Sequence, residues 1–260
     1  MSDKKVKYIP NPDGSMPIMS HFDELRKRLT RAVIVVAVMV FVLFIFREQC
    51  IAIFTRLLPA DVHLVNLSFI DGVAVTFTIC LTLSVIVSSP YIFYQLFAFI
   101  RPALSDKEKR GVYLGVPFVT GLFLLGVAFA YFIALPFALN FLFNFAQGLG
   151  MELLPNAKDY IYLILRVLLL MGLMFEMPVV FFVLAHFGIV KKGTLNKHWR
   201  IMIVLSFVLG ALITPTIDPI SQSVVAAAIM GLYWFSIFLV NIAAKNREKR
   251  LAKEVAAALS

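Results

Sequence analysis

Two basic segments of the sequence carry carboxylates beside long apolar runs. The stretch "SHFDELRKRLTRAV", residues 20–33, places Asp23 and Glu24 directly before a cluster of Lys and Arg and just ahead of an apolar run. Spacing alone favours a brace within one helix, in which Asp23 pairs with Lys27 and Glu24 pairs with Arg28 at i, i+4. Such pairs contribute only a few tenths of a kcal/mol. In this interpretation the two acids stabilise their own helix and bind no ligand.

The second acidic position lies in the segment "IRPALSDKEKRGVY", residues 100–113. Glu108 stands among cations there, three residues after Ser105, which is the spacing of a capping box at the start of a helix. The two segments thus share a carboxylate beside an apolar run and amid positive charge. Each has an ordinary structural explanation when it is taken alone.

Glu176 is an acid inside a long apolar stretch. An ionised carboxyl group in hydrocarbon is costly unless it is paired, hydrated or protonated, so such a residue indicates function. Pro178 follows two residues later, lacks a backbone N–H, and predicts a kink beside the acid. Three interpretations stay open: a functional acid that the kink opens to water or a polar partner, the proton site of an ion-coupled secondary transporter, or a protonated acid bonded to a neighbouring helix.

The composition indicates an integral membrane protein. Hydrophobic residues make up 61% of the 260 residues and include 25 phenylalanines, more than the 45–50% or so that is usual for soluble domains. Spans of roughly 20 apolar residues are needed to cross the hydrocarbon. Six spans are predicted, and the fifth, at 13 residues or about 20 Å, is short: residues 30–46, 72–100, 112–135, 160–187, 201–213 and 221–244. Pro136 is expected to end or bend the third span.

The positive charges predict the orientation. Twenty Lys and Arg flank the spans on one side and three, namely Arg47, Arg56 and Lys158, lie on the other. By the positive-inside bias, both termini are cytoplasmic, and the net charge of +9 needs no nucleic acid to explain it. The predicted divisions are a cytoplasmic N-terminal segment with an amphipathic helix (1–30), a six-helix transmembrane domain (31–244) and a basic cytoplasmic tail (245–260).

Four stretches together resemble the TatC family, the receptor subunit of the twin-arginine protein translocase. They are "HFDELRKRL" at 21–29, "YQLFAFIRPALSDKEKR" at 94–110, "FEMPVV" at 175–180 and "TPTIDPISQ" at 214–222. The resemblance implies an all-α polytopic membrane protein with six transmembrane helices in a concave, glove-like arrangement. It also implies export of folded proteins across the plasma membrane, driven by the proton-motive force.

The resemblance assigns roles to particular residues. Glu24 and Glu108 match the acids that receive the paired arginines of a signal peptide, and Phe99 and Arg26 match positions of the same site. An interfacial anchor is the alternative role of Phe99. Glu176 matches an intramembrane acid used in transport.

The "TPTIDPISQ" stretch supplies the residues that match a docking site for partner subunits. Thr214 and Gln222 match a polar cluster that binds the single-span subunits TatA and TatB, although Gln222 fits a simple interhelical hydrogen bond equally well. Other TatC copies and membrane lipids are further expected partners. No cofactor, metal site or catalysis is expected, because no nucleophile, metal-ligand or nucleotide motif is found in the sequence.

Overall fold

The computed structural model describes residues 18–58, 62–66, 68–100, 109–150, 154–214 and 218–259. These residues are almost entirely helical, and their helices are α1 (Ile18–Ile45), α2 (Arg47–Thr55), α3 (Asp71–Ile100), α4 (Lys109–Phe129), α5 (Leu135–Gly148), α6 (Ala157–Phe175), α7 (Met177–His186), α8 (Thr194–Lys197), α9 (Trp199–Ile213) and α10 (Pro219–Leu259). Five helical stretches of this part of the chain are long and apolar enough to cross a membrane. The sixth, α9, is apolar but shorter, so the all-α fold with six spans and a short fifth is confirmed.

The flanking segments are continuous with the spans. Helix α1 starts before Glu24 and runs without a break to Ile45, so the basic stretch is its first part. Helix α10 likewise continues from Pro219 to Leu259. The division into a terminal segment, a membrane domain and a tail stays a prediction.

The third span does not end at Pro136, which corrects one of the two outcomes expected there. A π-helical segment, Ala130–Ala134, follows α4, and α5 begins directly after it. Pro136 lies in the first turn of α5. A missing backbone N–H is tolerated there, because the N–H groups of a first turn have no acceptor within their own helix. The π-helical segment takes up the change in hydrogen-bond register between α4 and α5, and the chain stays helical to Gly148.

Helices α4 and α6 approach each other closely at two glycines. A Cβ on Gly126 would lie 2.8 Å from the carbonyl oxygen of Met171, and one on Gly172 would lie 2.6 Å from the ring of Phe123. Small residues let membrane helices pack backbone to backbone, where dispersion rather than water exclusion drives association. Fully buried apolar side chains, among them Ile79, Leu135, Ile161, Ile164 and Ile229, complete the core around this contact.

One end of the bundle, called the hairpin end here, carries α2, the first residues of α3 and α6, and the α9–α10 hairpin. Tyr131 and Tyr160 donate hydrogen bonds to the carbonyls of Ile53 and Phe54 in α2, at 2.7 and 3.1 Å. Lys158 of α6 pairs with Asp71 of α3 at 3.2 Å. These contacts hold the connection between the first two spans against the rest of the bundle.

Candidate functional site

Glu24 lies on α1 and is connected to α3 through Arg28. The Oε1 atom of Glu24 accepts hydrogen bonds from Nε and Nη2 of Arg28 at 2.9 and 2.5 Å. Nη1 of the same Arg28 donates to Oε1 of Gln95 at 3.4 Å, and Gln95 in turn donates to the hydroxyl of Tyr91 at 2.7 Å. The predicted i, i+4 pair of Glu24 and Arg28 is therefore confirmed, as part of a longer chain of hydrogen bonds.

The Glu24 carboxylate is only partly occupied by this pair. Its side chain keeps 24% of its accessible surface. Among the residues that the structure describes, both hydrogen bonds go to Oε1 and none to Oε2. One carboxylate oxygen thus stays available to a further donor.

A cleft of about 390 Å³ lies beside Glu24 on the same helix. It is lined by Asp23, Arg26, Lys27, Thr30 and Arg31. Four of these five side chains can donate hydrogen bonds and three of them are cationic at neutral pH. The surroundings of Glu24 are therefore basic, as the sequence indicated.

The other residues predicted for this site lie near the end of α3. Phe99 is half-buried in the last turn of that helix. Phe97, two residues before it, packs its ring against Gly115 in the second turn of α4, where an added Cβ would lie 3.1 Å from that ring. Glu108 falls in 101–108, outside the described residues.

Glu176 occupies the break between α6 and α7, which confirms the predicted interruption next to Pro178. Its backbone N–H donates to Leu173, three residues back, and its carbonyl accepts from both Val179 and Val180 at 3.0 Å. The side chain is buried, with 8% of its surface accessible, and lies against the backbone of Phe123 in α4. Among the described residues its Oε1 has no hydrogen-bond partner.

Other polar atoms on the neighbouring helices are buried in the same way. The hydroxyl oxygens of Thr120 on α4 and of Ser88 and Ser89 on α3 find no partner among the residues described. Thr120 precedes Phe123 by three residues, so both project from the same face of α4. The ring of Phe93, four residues after Ser89, lies 5.6 Å from the Phe123 ring. Helices α3 and α4 therefore carry further buried polar groups besides Glu176.

Thr214 and Gln222 lie at the α9–α10 hairpin, where both bind the backbone of α9. The hydroxyl of Thr214 and its backbone N–H both donate to the carbonyl of Gly210, at 2.9 and 2.8 Å. Nε2 of Gln222 donates to the carbonyl of Phe207 at 2.9 Å. The interhelical role considered for Gln222 is thus present in the structure.

Sequence reasoning missed two positions that the structure connects to other helices. Gln95 is buried in an apolar span and meets Arg28 from 67 residues away. Arg166 lies within α6 and donates from Nη2 to the carbonyl of Leu212 at 3.1 Å. A polar residue inside an apolar run is the signal that could have identified Gln95, because such groups must find partners. The described residues contain no group of His, Cys, Asp or Glu able to hold a metal ion.

Comparison with known proteins assigns the family. The model of "Sec-independent protein translocase protein (TatC)" matches residues 20–227. The TatC of Aquifex aeolicus is 35% identical over 242 residues, covering 90% of this chain and 98% of that protein. The chloroplastic TATC of Pisum sativum is 30% identical and covers 90% of this chain and 66% of its own length.

Solved structures give the same result. A crystal structure of the twin-arginine translocase receptor TatC in the detergent DDM superposes with a TM-score of 0.74 at 35% identity, covering 84% of this chain and 98% of the other. A second crystal structure of that receptor gives a TM-score of 0.72 at 35% identity, with 86% and 99% covered. Because the family model spans most of the sequence and the fold agrees, this chain belongs to the TatC family of Sec-independent protein translocase proteins.

Proposed function

We propose that this chain is the receptor subunit of a twin-arginine translocase and that Glu24 binds one arginine of a signal peptide. The observation that carries the proposal is the state of the Glu24 carboxylate. Oε1 is held by Arg28, while Oε2 accepts no hydrogen bond from the described residues and the side chain remains partly exposed. The carboxylate is therefore oriented before a ligand arrives, and preorganisation lowers the cost of binding.

The chemistry of the ligand follows from the charge and shape of the acceptor. A guanidinium presents N–H donors in a planar fork that suits a carboxylate, whereas an ammonium is a compact point charge. Glu108, in the connection between α3 and α4, is the proposed acceptor for the second arginine. Arg26 and Phe99 are proposed to line the same site.

The basic surroundings of Glu24 also favour selectivity. Arg26, Lys27 and Arg31 line the adjacent cleft and repel every positively charged peptide. A ligand gains affinity only if its donors reach the carboxylate, because the repulsion is common to all basic peptides. This combination distinguishes paired arginines from paired lysines.

The remaining parts of the translocase are proposed from the same family. Glu176 makes polar contact with the passenger or a partner helix during transport, which is supported by its buried Oε1, an atom without a hydrogen-bond partner among the described residues. Thr214 and Gln222 take part in docking TatA and TatB, and other TatC copies complete the assembly. Both termini are cytoplasmic in the plasma membrane, and the proton-motive force supplies the energy.

Ion-coupled solute transport is not supported by the relatives. The proteins named above are translocase proteins, and Glu176 takes its proposed role within that function. An acid at this depth is accordingly interpreted as part of protein translocation.

The test compares two neighbouring carboxylates on α1. Glu24→Gln removes the acceptor, and Asp23→Asn makes the same change of charge one residue earlier. A charge-assisted hydrogen bond is worth about 1.5–3 kcal/mol, so Glu24→Gln should lower the affinity for a twin-arginine signal peptide at least tenfold, about 1.4 kcal/mol. Asp23→Asn should have a clearly smaller effect. Glu108→Gln should lower the affinity by the same factor as Glu24→Gln.

A twin-lysine peptide provides the second comparison. Its affinity for the unchanged protein should be low already, and Glu24→Gln should reduce it little further. An equal loss for both peptides, or an equal effect of Glu24→Gln and Asp23→Asn, would show that the acids supply general attraction and that the proposed recognition of paired arginines is wrong.

A further inference from the structure

Apart from Arg31, the second residue of the first span, Arg166 is the one Lys or Arg of the sequence that lies inside a predicted span. It stands nine residues after Ala157, the first residue of α6, which places it about 14 Å along the helix from the hairpin end. Its side chain is exposed, and so are those of Tyr162 and Leu173 on the same face of α6. In a bilayer this face meets lipid, where an unsolvated guanidinium is costly.

Among the described residues, Arg166 has its hydrogen-bond partner at the end of a neighbouring helix. Nη2 donates to the carbonyl of Leu212 at 3.1 Å. Leu212 is the second-last residue of α9, and the last four carbonyls of a helix have no partner within it and carry partial negative charge. A guanidinium has five N–H donors, and within the described part of the chain no carboxylate lies within ion-pair distance of this one.

The short α9 explains how polar groups outside the protein can reach Arg166. The helix has 15 residues and is about 22 Å long, against about 30 Å of hydrocarbon in a typical bilayer. The C-terminal end of α9 lies at the depth of Arg166 in the membrane, because Leu212 accepts its hydrogen bond there. This depth is farther from the membrane surface than the first residue of α6. Side chains on a helix tilt toward its N-terminus, which for α6 is the hairpin end, so Arg166 extends toward the nearer membrane surface.

We propose that Arg166 and the carbonyl end of α9 form a binding site for the phosphate group of a membrane lipid. The phosphate accepts two parallel N–H bonds from the guanidinium, the same fork geometry that suits carboxylates. The bound lipid lies beyond the C-terminal end of the short α9, and the headgroup layer there reaches the depth of Arg166. The site is separate from Glu24 and Glu108 and does not depend on recognition of signal peptides.

The exposure of Arg166 in the chain without partners favours a lipid as its ligand over a carboxylate of a partner subunit. Arg166 is exposed when no partner is present, so it needs a counter-ion before any assembly takes place. Lipid phosphates are available at every membrane surface, and bringing one to the depth of Arg166 costs only fractions of a kcal/mol per ångström of thinning. A partner carboxylate would leave the unassembled chain with an uncompensated charge in hydrocarbon.

The experiment measures how closely lipid headgroups approach α9. Leu212→Cys carries a fluorophore in vesicles of phosphatidylcholine that contain an increasing fraction of phosphatidylglycerol with a nitroxide on its headgroup. A second label at Leu173→Cys, seven residues or about 10 Å farther along α6 from Arg166, reports a depth that headgroups should not reach. Quenching at position 212, but not at 173, is the expected result for the unchanged Arg166.

Variants then test the guanidinium itself. Arg166→Gln should raise the lipid fraction that gives half-maximal quenching at 212 by about tenfold, and Arg166→Lys should give an intermediate value. Arg56→Gln removes an exposed cation that lies directly after α2, outside the span, and should change nothing. Unchanged quenching at 212 in Arg166→Gln would overturn the proposal, and so would an equal effect of Arg56→Gln.

Two further comparisons keep the test decisive. A neutral glycolipid with the same nitroxide should quench position 212 of the unmodified Arg166 protein about tenfold less effectively than phosphatidylglycerol. Equal quenching would show that phosphate is not recognised, whether or not Arg166→Gln folds. If Arg166→Gln leaves lipid quenching intact but prevents a single-span subunit from co-purifying, the guanidinium binds a protein carboxylate and the lipid site is rejected.

Discussion

Arg28 holds Glu24 through two hydrogen bonds to a single carboxylate oxygen, from Nε at 2.9 Å and Nη2 at 2.5 Å. The third contact of the same guanidinium, to Gln95, connects this pair to α3. The Glu24 carboxylate is therefore held in place by α1 and α3 together, because Arg28 joins it to Gln95.

The connection between Arg28 and Gln95 predicts an energetic coupling between α1 and α3. Arg28→Ala and Gln95→Ala should each lower the thermal stability, and the double variant should lose less than the sum of the two. A partly buried hydrogen bond contributes roughly 0.5–1.5 kcal/mol net, and the coupling free energy should lie in that range. Unfolding of the four proteins in the same detergent measures it. Strict additivity would mean that the 3.4 Å contact carries no energy.

Substitutions of Glu176 separate a polar role from a packing role. Glu176→Gln keeps a hydrogen-bonding group of similar size, so folding, assembly and most of the transport should persist. Glu176→Leu removes the hydrogen-bonding group, so export of a folded reporter should fall while the protein remains in the membrane. Export is compared at equal protein levels. Normal export by Glu176→Leu would assign the residue to packing alone.

Gly188 is predicted to be required where α7 ends. Its φ is +80°, a left-handed conformation that costs other residues about 1–2 kcal/mol, and a Cβ there would overlap the guanidinium of Arg247 in α10. Gly188→Ala should thus destabilise the protein by more than the backbone strain alone. Gly193 has φ +81° with nothing within 4 Å of an added Cβ, so Gly193→Ala measures the strain without the overlap.

Comparison of the two alanine variants by thermal unfolding completes this test. The difference between Gly188→Ala and Gly193→Ala should shrink when Arg247→Ala is added to the former, because that change removes the overlapping atoms. Equal losses for both glycines in the presence of Arg247 would contradict the close contact.

The proposed orientation is testable with cysteine labelling of intact cells. A membrane-impermeant thiol reagent should reach Arg56→Cys directly after α2 but not Lys192→Cys between α7 and α8 until the cells are opened. The native cysteines should give little background. Cys50 and Cys80 are both buried, and burial raises the pKa of the Cys50 thiol, so the reactive thiolate is scarce. Labelling of Lys192→Cys from outside would reverse the assignment.

The spans and the acids could be predicted from the sequence alone. Apolar runs of this length must be helical in a membrane, because every backbone N–H and C=O has to find its partner within the segment. The break beside Glu176 followed from Pro178, whose missing N–H acts on its own helix. The pairing of Glu24 with Arg28 followed from the i, i+4 spacing. Each of these features depends on residues within one or two turns of each other.

Only the tertiary structure decided which helices those residues meet. Gln95 lies 67 residues from Arg28, and Leu212 lies 46 residues from Arg166, so neither contact leaves a local pattern. The path of the chain through Pro136 likewise depended on a π-helical segment packed in the bundle. Apolar spans have little amphipathic signal to fix their rotation, because lipid and protein interior are equally apolar. Close packing at small residues such as Gly126 and Gly172 fixes that rotation instead, and with it the partners of every polar side chain.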